Sequence, residues 1–283
     1  MFEDSSPRDI TTKAESKTMT AKLYQITGQG APLVMLHSSM SSKKQWAGLA
    51  ERVSSDFTCI AIDLIGYGAA SLPTDQDGYS LQSEIDHIDQ ILADAGLDTS
   101  TPVHLIGHSF GGACALYWAH QNPARVKSMH LFEPVAFHLL NHDSEGWQEI
   151  ANVVSNLERY MAQGDETAAC THFINYWSGA GAFESFPPHI QQAMTTQVPK
   201  VILDFVGIRN CTLGLSDYAA FDFPISLIKG SRSPIASRSV AKALQTALAQ
   251  IDFSIVDCGH MGPITHSQQI NDIWVEKLHQ QKG

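Results

Sequence analysis

From residue 21 onward, short and nearly continuous apolar runs alternate with longer stretches whose apolar positions recur every three or four residues. The short runs cover 23–27, 32–36, 58–62, 103–106, 126–132, 225–229 and 253–256. Several are β-branched and almost free of polar positions, as a strand must be when both its faces are covered. Between them, residues 81–95 place Leu81, Ile85, Ile88, Ile91 and Leu92 close to a 3.6-residue period, which predicts a helix. Residues 110–122 predict a second, stopped by Pro123, and 237–249 and 270–278 complete the set. Strands and helices in alternation predict an α/β fold with a mostly parallel, doubly wound sheet.

One interval breaks that rhythm. From 134 to 223 the pattern is helical at 147–161, 166–177 and 188–206, with no strand signal. A helical insertion between two strands is expected to cover the C-terminal edge of the sheet, where ligands bind in such folds. The expected organisation is therefore a flexible tail over 1–20, a core built from 21–133 and 224–283, and a helical lid over 134–223.

Composition acts mainly by exclusion. Of 283 residues, 43% are hydrophobic and 17% charged, ample for a buried sheet and opposite to the balance of a disordered chain. Eighteen Lys and Arg stand against 29 Asp and Glu, a net charge of −11. That argues against a nucleic-acid partner and against docking on anionic lipid. A small, neutral or weakly polar molecule is the expected partner, and the oligomeric state is left open. No run reaches 18 apolar residues, so no membrane span is expected. Residues 1–20 carry no apolar signal region, which makes the cytoplasm the expected location. The five cysteines are scattered without a C-x-x-C pair, so neither a disulfide framework nor a zinc site is expected. Among 13 histidines, His104 and His108 stand at i,i+4 within an apolar strand run and His138 and His142 at the same spacing, with no third ligand at a matching spacing. No metal and no cofactor are expected.

The candidate chemistry begins at Gly107-His108-Ser109-Phe110-Gly111, where an apolar strand runs directly into a helix. A turn this sharp strains the backbone at the serine, and it needs glycine on both flanks because a side chain there would meet the packed helix or strand. It lifts the hydroxyl out of the sheet and points a helix N-terminus at it, where developing negative charge is favoured. This G-x-S-x-G elbow, in its strand-to-helix context, resembles the α/β-hydrolase family. The resemblance implies that Ser109 is a nucleophile and that its base follows the last strand. There the chain reads Asp257-Cys258-Gly259-His260-Met261-Gly262-Pro263, similar to a form found in lid-bearing members. His260 is the candidate base, and Asp257 is too close in sequence to orient its ring.

The family pattern places an orienting carboxylate after the strand that follows the lid, but the corresponding position here holds Ser233. No Asp or Glu occurs between Phe223 and Ile251. One strand earlier, the run 126–132 ends in Glu133-Pro134, resembling the haloalkane dehalogenase branch, which takes its acid from that strand. Glu133 is the candidate acid, with Asp217 and Asp222 in reserve. For an oxyanion hole, the resemblance implies the backbone amides of Ser39 and Phe110, although Ser38 replaces the glycine usual after His37. Met40, Trp46, Trp177, Phe183 and Met261 are the candidate substrate-binding side chains, all apolar. Dehalogenation and epoxide opening in this family use an aspartate at the elbow, and position 109 is serine.

These features predict a serine hydrolase acting on a small, largely apolar carboxylic ester or thioester through a Ser-His-Glu triad and an acyl-enzyme. Two alternatives remain open on the sequence. One is carbon–carbon bond hydrolysis of a ring-fission diketone, with Arg232 meeting a carboxylate. The other is a non-catalytic ligand receptor on the same fold.

Overall fold

The apolar runs assemble into a single sheet. The computed structural model describes residues 23–249 and 251–281, so the tail expected over 1–20 lies outside the described residues. The strands are β1 (Tyr24–Thr27), β2 (Ala31–Leu36), β3 (Phe57–Ile62), β4 (Val103–His108), β5 (Val126–Phe132), β6 (Ile225–Gly230) and β7 (Ile251–Val256). They lie in the order β1-β3-β2-β4-β5-β6-β7. Among the described strands only β1 runs antiparallel, pairing with β3 at the edge, and the other pairs are parallel.

Side chains alternate between the two faces of each strand, and in the central strands β2 to β6 both faces are buried, while the edge strands β1 and β7 stay partly exposed. Val34 and Leu36 of β2 point into one hydrophobic cluster while Leu33 and Met35 point into another. Ile60 and Ile62 of β3 join the first, and Phe57, Cys59 and Ala61 the second. Two covered faces are the reason these strands read as unbroken apolar runs rather than as alternation.

The helices are α1 (Ala47–Val53), α2 (Leu81–Asp94), α3 (Phe110–Gln121), α4 (Glu145–Ala162), α5 (Glu166–Ser178), α6 (Pro188–Thr195), α7 (Val198–Arg209), α8 (Leu215–Ala219), α9 (Ile235–Ala247), α10 (Gly262–Thr265) and α11 (Ser267–Gln280). The apolar faces of α2, α3 and α9 enter the first cluster, and those of α1 and α11 the second. Between β5 and β6 the described chain is helical, from α4 to α8. The helix expected over 188–206 is two helices, because Pro199 offers no N–H and its ring would collide with the carbonyl one turn back. It stands instead in the first turn of α7, where that N–H has no helical partner to lose. Among the described residues, no helix is long and apolar enough to cross a membrane.

The strand order opens a crevice at one edge of the sheet. The chain leaves β2 toward β3 and β1 on one side, and β4 starts the march toward β7 on the other. Neighbouring parallel strands whose connections depart in opposite directions leave a crevice at their C-terminal ends. Ser39 follows β2 and Ser109 follows β4, with Leu36 paired to Gly107 between them.

Candidate active site

Ser109 has φ 56° and ψ −119° and serves as the N-cap of α3. Its N–H donates to Phe132 O at 3.0 Å, and Gly111 N donates to His37 O at 3.1 Å, which locks the turn to the ends of β5 and β2. A Cβ on Gly107 would lie 2.7 Å from Cα of Gly112, and one on Gly111 would run into the carbonyl of Leu36. The tight packing that requires glycine is what pushes the serine side chain out of the sheet. Among the described residues, the non-glycine residues with left-handed φ are Met40 (54°), Ser109 (56°) and Glu133 (41°). All three stand at the C-terminal rim of the sheet, and strain of this kind costs on the order of 1–3 kcal/mol per residue.

His260 lies in the loop between β7 and α10, with Nε2 2.9 Å from Ser109 Oγ. Its Nδ1 is 2.7 Å from Glu133 Oε2. An ionised carboxylate only accepts hydrogen bonds, so the ring proton sits on Nδ1 and leaves Nε2 as the acceptor facing the hydroxyl. The second carboxylate oxygen of Glu133, Oε1, accepts from Gly230 N at 2.7 Å, at the end of β6. Glu133 is completely buried, and Ser109 and His260 are nearly so. Beneath them, His108 Nε2 donates to the backbone carbonyl of His260 at 3.0 Å. Burial, reinforced by the neighbouring His260, holds the His108 ring far below its usual pKa, so it anchors that loop as a neutral donor.

The reserve acids are placed differently. Asp217 Oδ2 accepts from Gly214 N at 2.7 Å and caps α8, while Asp222 is exposed. Ser233, at the position where an acid would follow β6, is buried.

The other wall of the crevice is the loop after β2. His37 Nε2 accepts from Leu64 N at 3.0 Å and its Nδ1 donates to Ser38 O at 2.7 Å, a tautomer that bridges the ends of β2 and β3. Burial lowers its pKa to about 4 and keeps it neutral. Ser38 takes the place of a glycine without a positive φ, and its N–H and Oγ both donate to Gln45 Oε1, at 3.2 and 3.1 Å. The Ser39 hydroxyl donates to Asp204 Oδ2 of α7 at 2.6 Å, and Tyr67 OH donates to the same oxygen at 2.6 Å.

Asp204 opens a buried ionic network. Its Oδ1 is paired with Lys200 one helical turn earlier, and Lys200 also reaches Glu84 Oε1 of α2 at 3.0 Å and Tyr79 OH at 2.9 Å. The Lys200 ammonium lies 4.6 Å from the ring centre of Phe110, with Tyr67 and Tyr79 at similar range. Burial pushes the Asp204 carboxyl up to about 6, against the opposing pull of Lys200. The network ties a helix of the 134–223 insertion to the core directly behind Ser39.

A cavity of about 20 Å³, room for a single water, lies over Ser109 and is walled by Ser39, Val135, Phe137, Phe173, Trp177, Asp204, Phe205 and Ile208. Trp177 lies against the imidazole of His260, with ring centres 4.1 Å apart and the planes tilted by 35°. Of the expected substrate-binding side chains, Trp177 therefore meets the site, and Met261 lines an adjoining open cleft. Met40 is half-buried on its strained backbone. Trp46 lies instead in the second hydrophobic cluster, 5.5 Å from Trp274 of α11, where it packs the core. Phe183 is buried in the first cluster. Arg232 is engaged by Asp257, through Oδ2 at 3.1 Å and the backbone carbonyl at 3.0 Å.

Asp204, Phe137, Phe205 and Ile208 did not stand out in the sequence. A signal existed for Asp204. Lys200 and Asp204 are opposite charges at i,i+4 in the otherwise apolar helix VPKVILDFVGIR, which marks a pair that shares burial.

Residues 31–267 match the family profile of the alpha/beta hydrolase fold. Over 117 residues the chain is 36% identical to a haloalkane dehalogenase of Agrobacterium fabrum, covering 41% of this chain and 36% of that protein. Over 125 residues it is 32% identical to a cis-3-alkyl-4-alkyloxetan-2-one decarboxylase of Xanthomonas campestris, covering 42% of this chain and 41% of the relative. The chain thus matches well under half the length of these relatives. A thermophilic esterase from Thermogutta terrifontis shares the fold, with a TM-score of 0.73 at 19% identity over 92% of this chain and 93% of that one.

Proposed function

The chain belongs to the α/β-hydrolase fold family, and from that premise we propose that it is a serine hydrolase of small, largely apolar carboxylic esters or thioesters. The observation that carries this reading is the line Ser109 Oγ, His260, Glu133, joined at 2.9 and 2.7 Å. His260 Nε2 takes the hydroxyl proton as Ser109 Oγ attacks the carbonyl carbon, and Glu133 stabilises the imidazolium that forms. The carbonyl oxygen becomes an oxyanion facing the backbone N–H groups of Ser39 and Phe110, each worth roughly 3 kcal/mol in such sites. Collapse of the tetrahedral intermediate expels the alcohol or thiol, which leaves with the proton from His260. Water, deprotonated by the same imidazole, then attacks the acyl-enzyme, and the acid departs as Ser109 regains its proton.

In this reading, residues 21–133 and 224–283 form the catalytic core, and 134–223 the lid. The insertion supplies Trp177, Phe173, Asp204, Phe205 and Ile208 to the cavity over Ser109, which supports that division. The diketone reading asked Arg232 for a carboxylate contact that Asp257 already occupies. The similar decarboxylase is named for an oxetan-2-one, a strained cyclic ester, so a lactone belongs among the substrates to assay.

The test is active-site labelling beside turnover. A fluorophosphonate probe should label the protein stoichiometrically, p-nitrophenyl acetate should be hydrolysed, and Ser109→Ala should lose both. A folded protein that takes no label, or a Ser109→Ala variant that still does, would exclude the acyl-enzyme and favour an inert receptor.

A further inference from the structure

Two clefts share walls with the cavity over Ser109, and they differ in chemistry. The first lies between α4 and α7. It holds about 160 Å³ and shares the walls Phe137, Phe205 and Ile208 with the cavity over the serine. Its other walls include Trp147, Ile150 and Val154, and it carries little net charge. Burial lowers the pKa of His138 in its wall to about 4, so that ring is neutral. Glu158 and Arg209 stand 3.5 Å apart at its edge and offset one another. A cavity of about 150 Å³ with apolar walls accommodates benzene.

The second cleft holds about 760 Å³ and lies beyond Trp177, bordered by His260, Met261, Arg232, Arg238 and His266. It is open and mixed in character, with a larger polar share than the first cleft. Trp177 is the shared wall between it and the cavity over Ser109.

The catalytic geometry decides which part of a substrate faces which cleft. His260 must hand its proton to the leaving atom, so that atom lies on the imidazole side, toward Trp177. The oxyanion lies toward Ser39 and Phe110. The remaining substituent of the carbonyl carbon, the acyl group, must point away from the imidazole, toward Phe137, Phe205 and Ile208. We propose that the substrate carries an uncharged acyl group of about benzene size, seated in the cleft between α4 and α7, with its alcohol or thiol facing the open, more polar cleft beyond Trp177. Asp204, at the wall of the central cavity, disfavours an anionic acyl group there. This inference rests on the ester-hydrolase reading and names its substrate class.

The experiment compares two substrate series on the full chain. In one the leaving group is fixed as p-nitrophenol and the acyl group runs from acetyl through butyryl to benzoyl. In the other the acyl group is fixed as acetyl and the leaving group runs from phenol to naphthol. The variant is Val154→Trp, which fills the α4–α7 cleft without touching the cavity over Ser109. Wild type should favour benzoyl over acetyl. Val154→Trp should lower the benzoyl-to-acetyl ratio of kcat/KM at least tenfold, while the naphthyl-to-phenyl ratio stays within twofold. Collapse of the naphthyl-to-phenyl ratio would reverse the orientation, and two unmoved ratios would remove the seat altogether. If Val154→Trp does not fold, Ser155→Trp on the exposed rim of the same cleft carries the same expectations. Hydrolysis with unmoved ratios sinks this inference alone, whereas no hydrolysis and no label at Ser109 sinks the ester reading beneath it.

Discussion

His260 and Glu133 meet through Nδ1 and Oε2 at 2.7 Å, and the other oxygen of that carboxylate is held by the backbone N–H of Gly230. The Glu133 carboxylate is thus fixed by two strands, standing at the end of β5 and tied to the end of β6. In Glu133→Gln the amide oxygen can keep the Gly230 contact, but the amide nitrogen then faces His260 and forces the proton onto Nε2. That tautomer cannot accept from Ser109. The kcat should fall by roughly 10³–10⁴ with little change in melting temperature. A variant within tenfold of wild type would move the acid elsewhere.

The hydrogen bond from Ser39 Oγ to Asp204 implies that Asp204 positions the loop carrying a candidate oxyanion donor. Ser39→Ala and Asp204→Asn should each lower kcat, by about 5-fold and about 20-fold, and leave KM within a factor of three. Because they act through one link, the double variant should be no worse than Asp204→Asn alone. Multiplicative losses would mean that the two residues act independently.

Lys200 is fully buried between Glu84 and Asp204. Lys200→Met leaves two carboxylates facing each other without their counter-charge, and it should cost about 3–5 kcal/mol in urea unfolding. Adding Glu84→Gln and Asp204→Asn should recover part of that loss, since a neutral site of the same shape carries no uncompensated charge. If the single variant unfolds like wild type, the network contributes nothing to stability.

Acid should destabilise the fold through the base of the sheet. His104, Ser128, His130 and Ser226 form a hydrogen-bonded row across β4, β5 and β6, with steps of 2.7 to 2.8 Å. Burial lowers His104 to about 4 and His130 to about 3, aided by Lys127 and by His104 respectively. In the unfolded chain both titrate near 6.5. The stability they confer is therefore complete above that pH and is lost as pH falls through 6 toward 3, because only the unfolded state takes up the protons. Each contributes on the order of 3 kcal/mol. Urea midpoints should drop steadily below pH 6, and His130→Gln should flatten the slope by about one proton. An unchanged slope would mean that other groups drive acid unfolding.

Much of this arrangement was legible in the sequence because it is local. The elbow is five consecutive residues with a strand before and a helix after, and each central strand betrays its two buried faces by its own apolar run. Glu133 stood out as a candidate through the lack of any carboxylate after β6 and through its likeness to the branch that takes its acid from the end of β5. The cavity walls were another matter. Phe137, Phe173, Phe205 and Ile208 come from three separate elements, and nothing in a helical period distinguishes a residue facing a cavity from one facing the core. Trp46 illustrates the ambiguity, an aromatic near the first loop that the fold turns against Trp274. The break between α6 and α7 was readable from Pro199, but the apolar pattern runs through it.

The left-handed backbone at Met40, Ser109 and Glu133 has a bearing on how this protein can be engineered. Glycine adopts that conformation freely, so replacing any of the three relieves steric tension while erasing or loosening what the position carries. Selection for heat resistance alone is blind to that loss. Libraries meant to harden the scaffold should hold those three codons constant and seek their gains elsewhere.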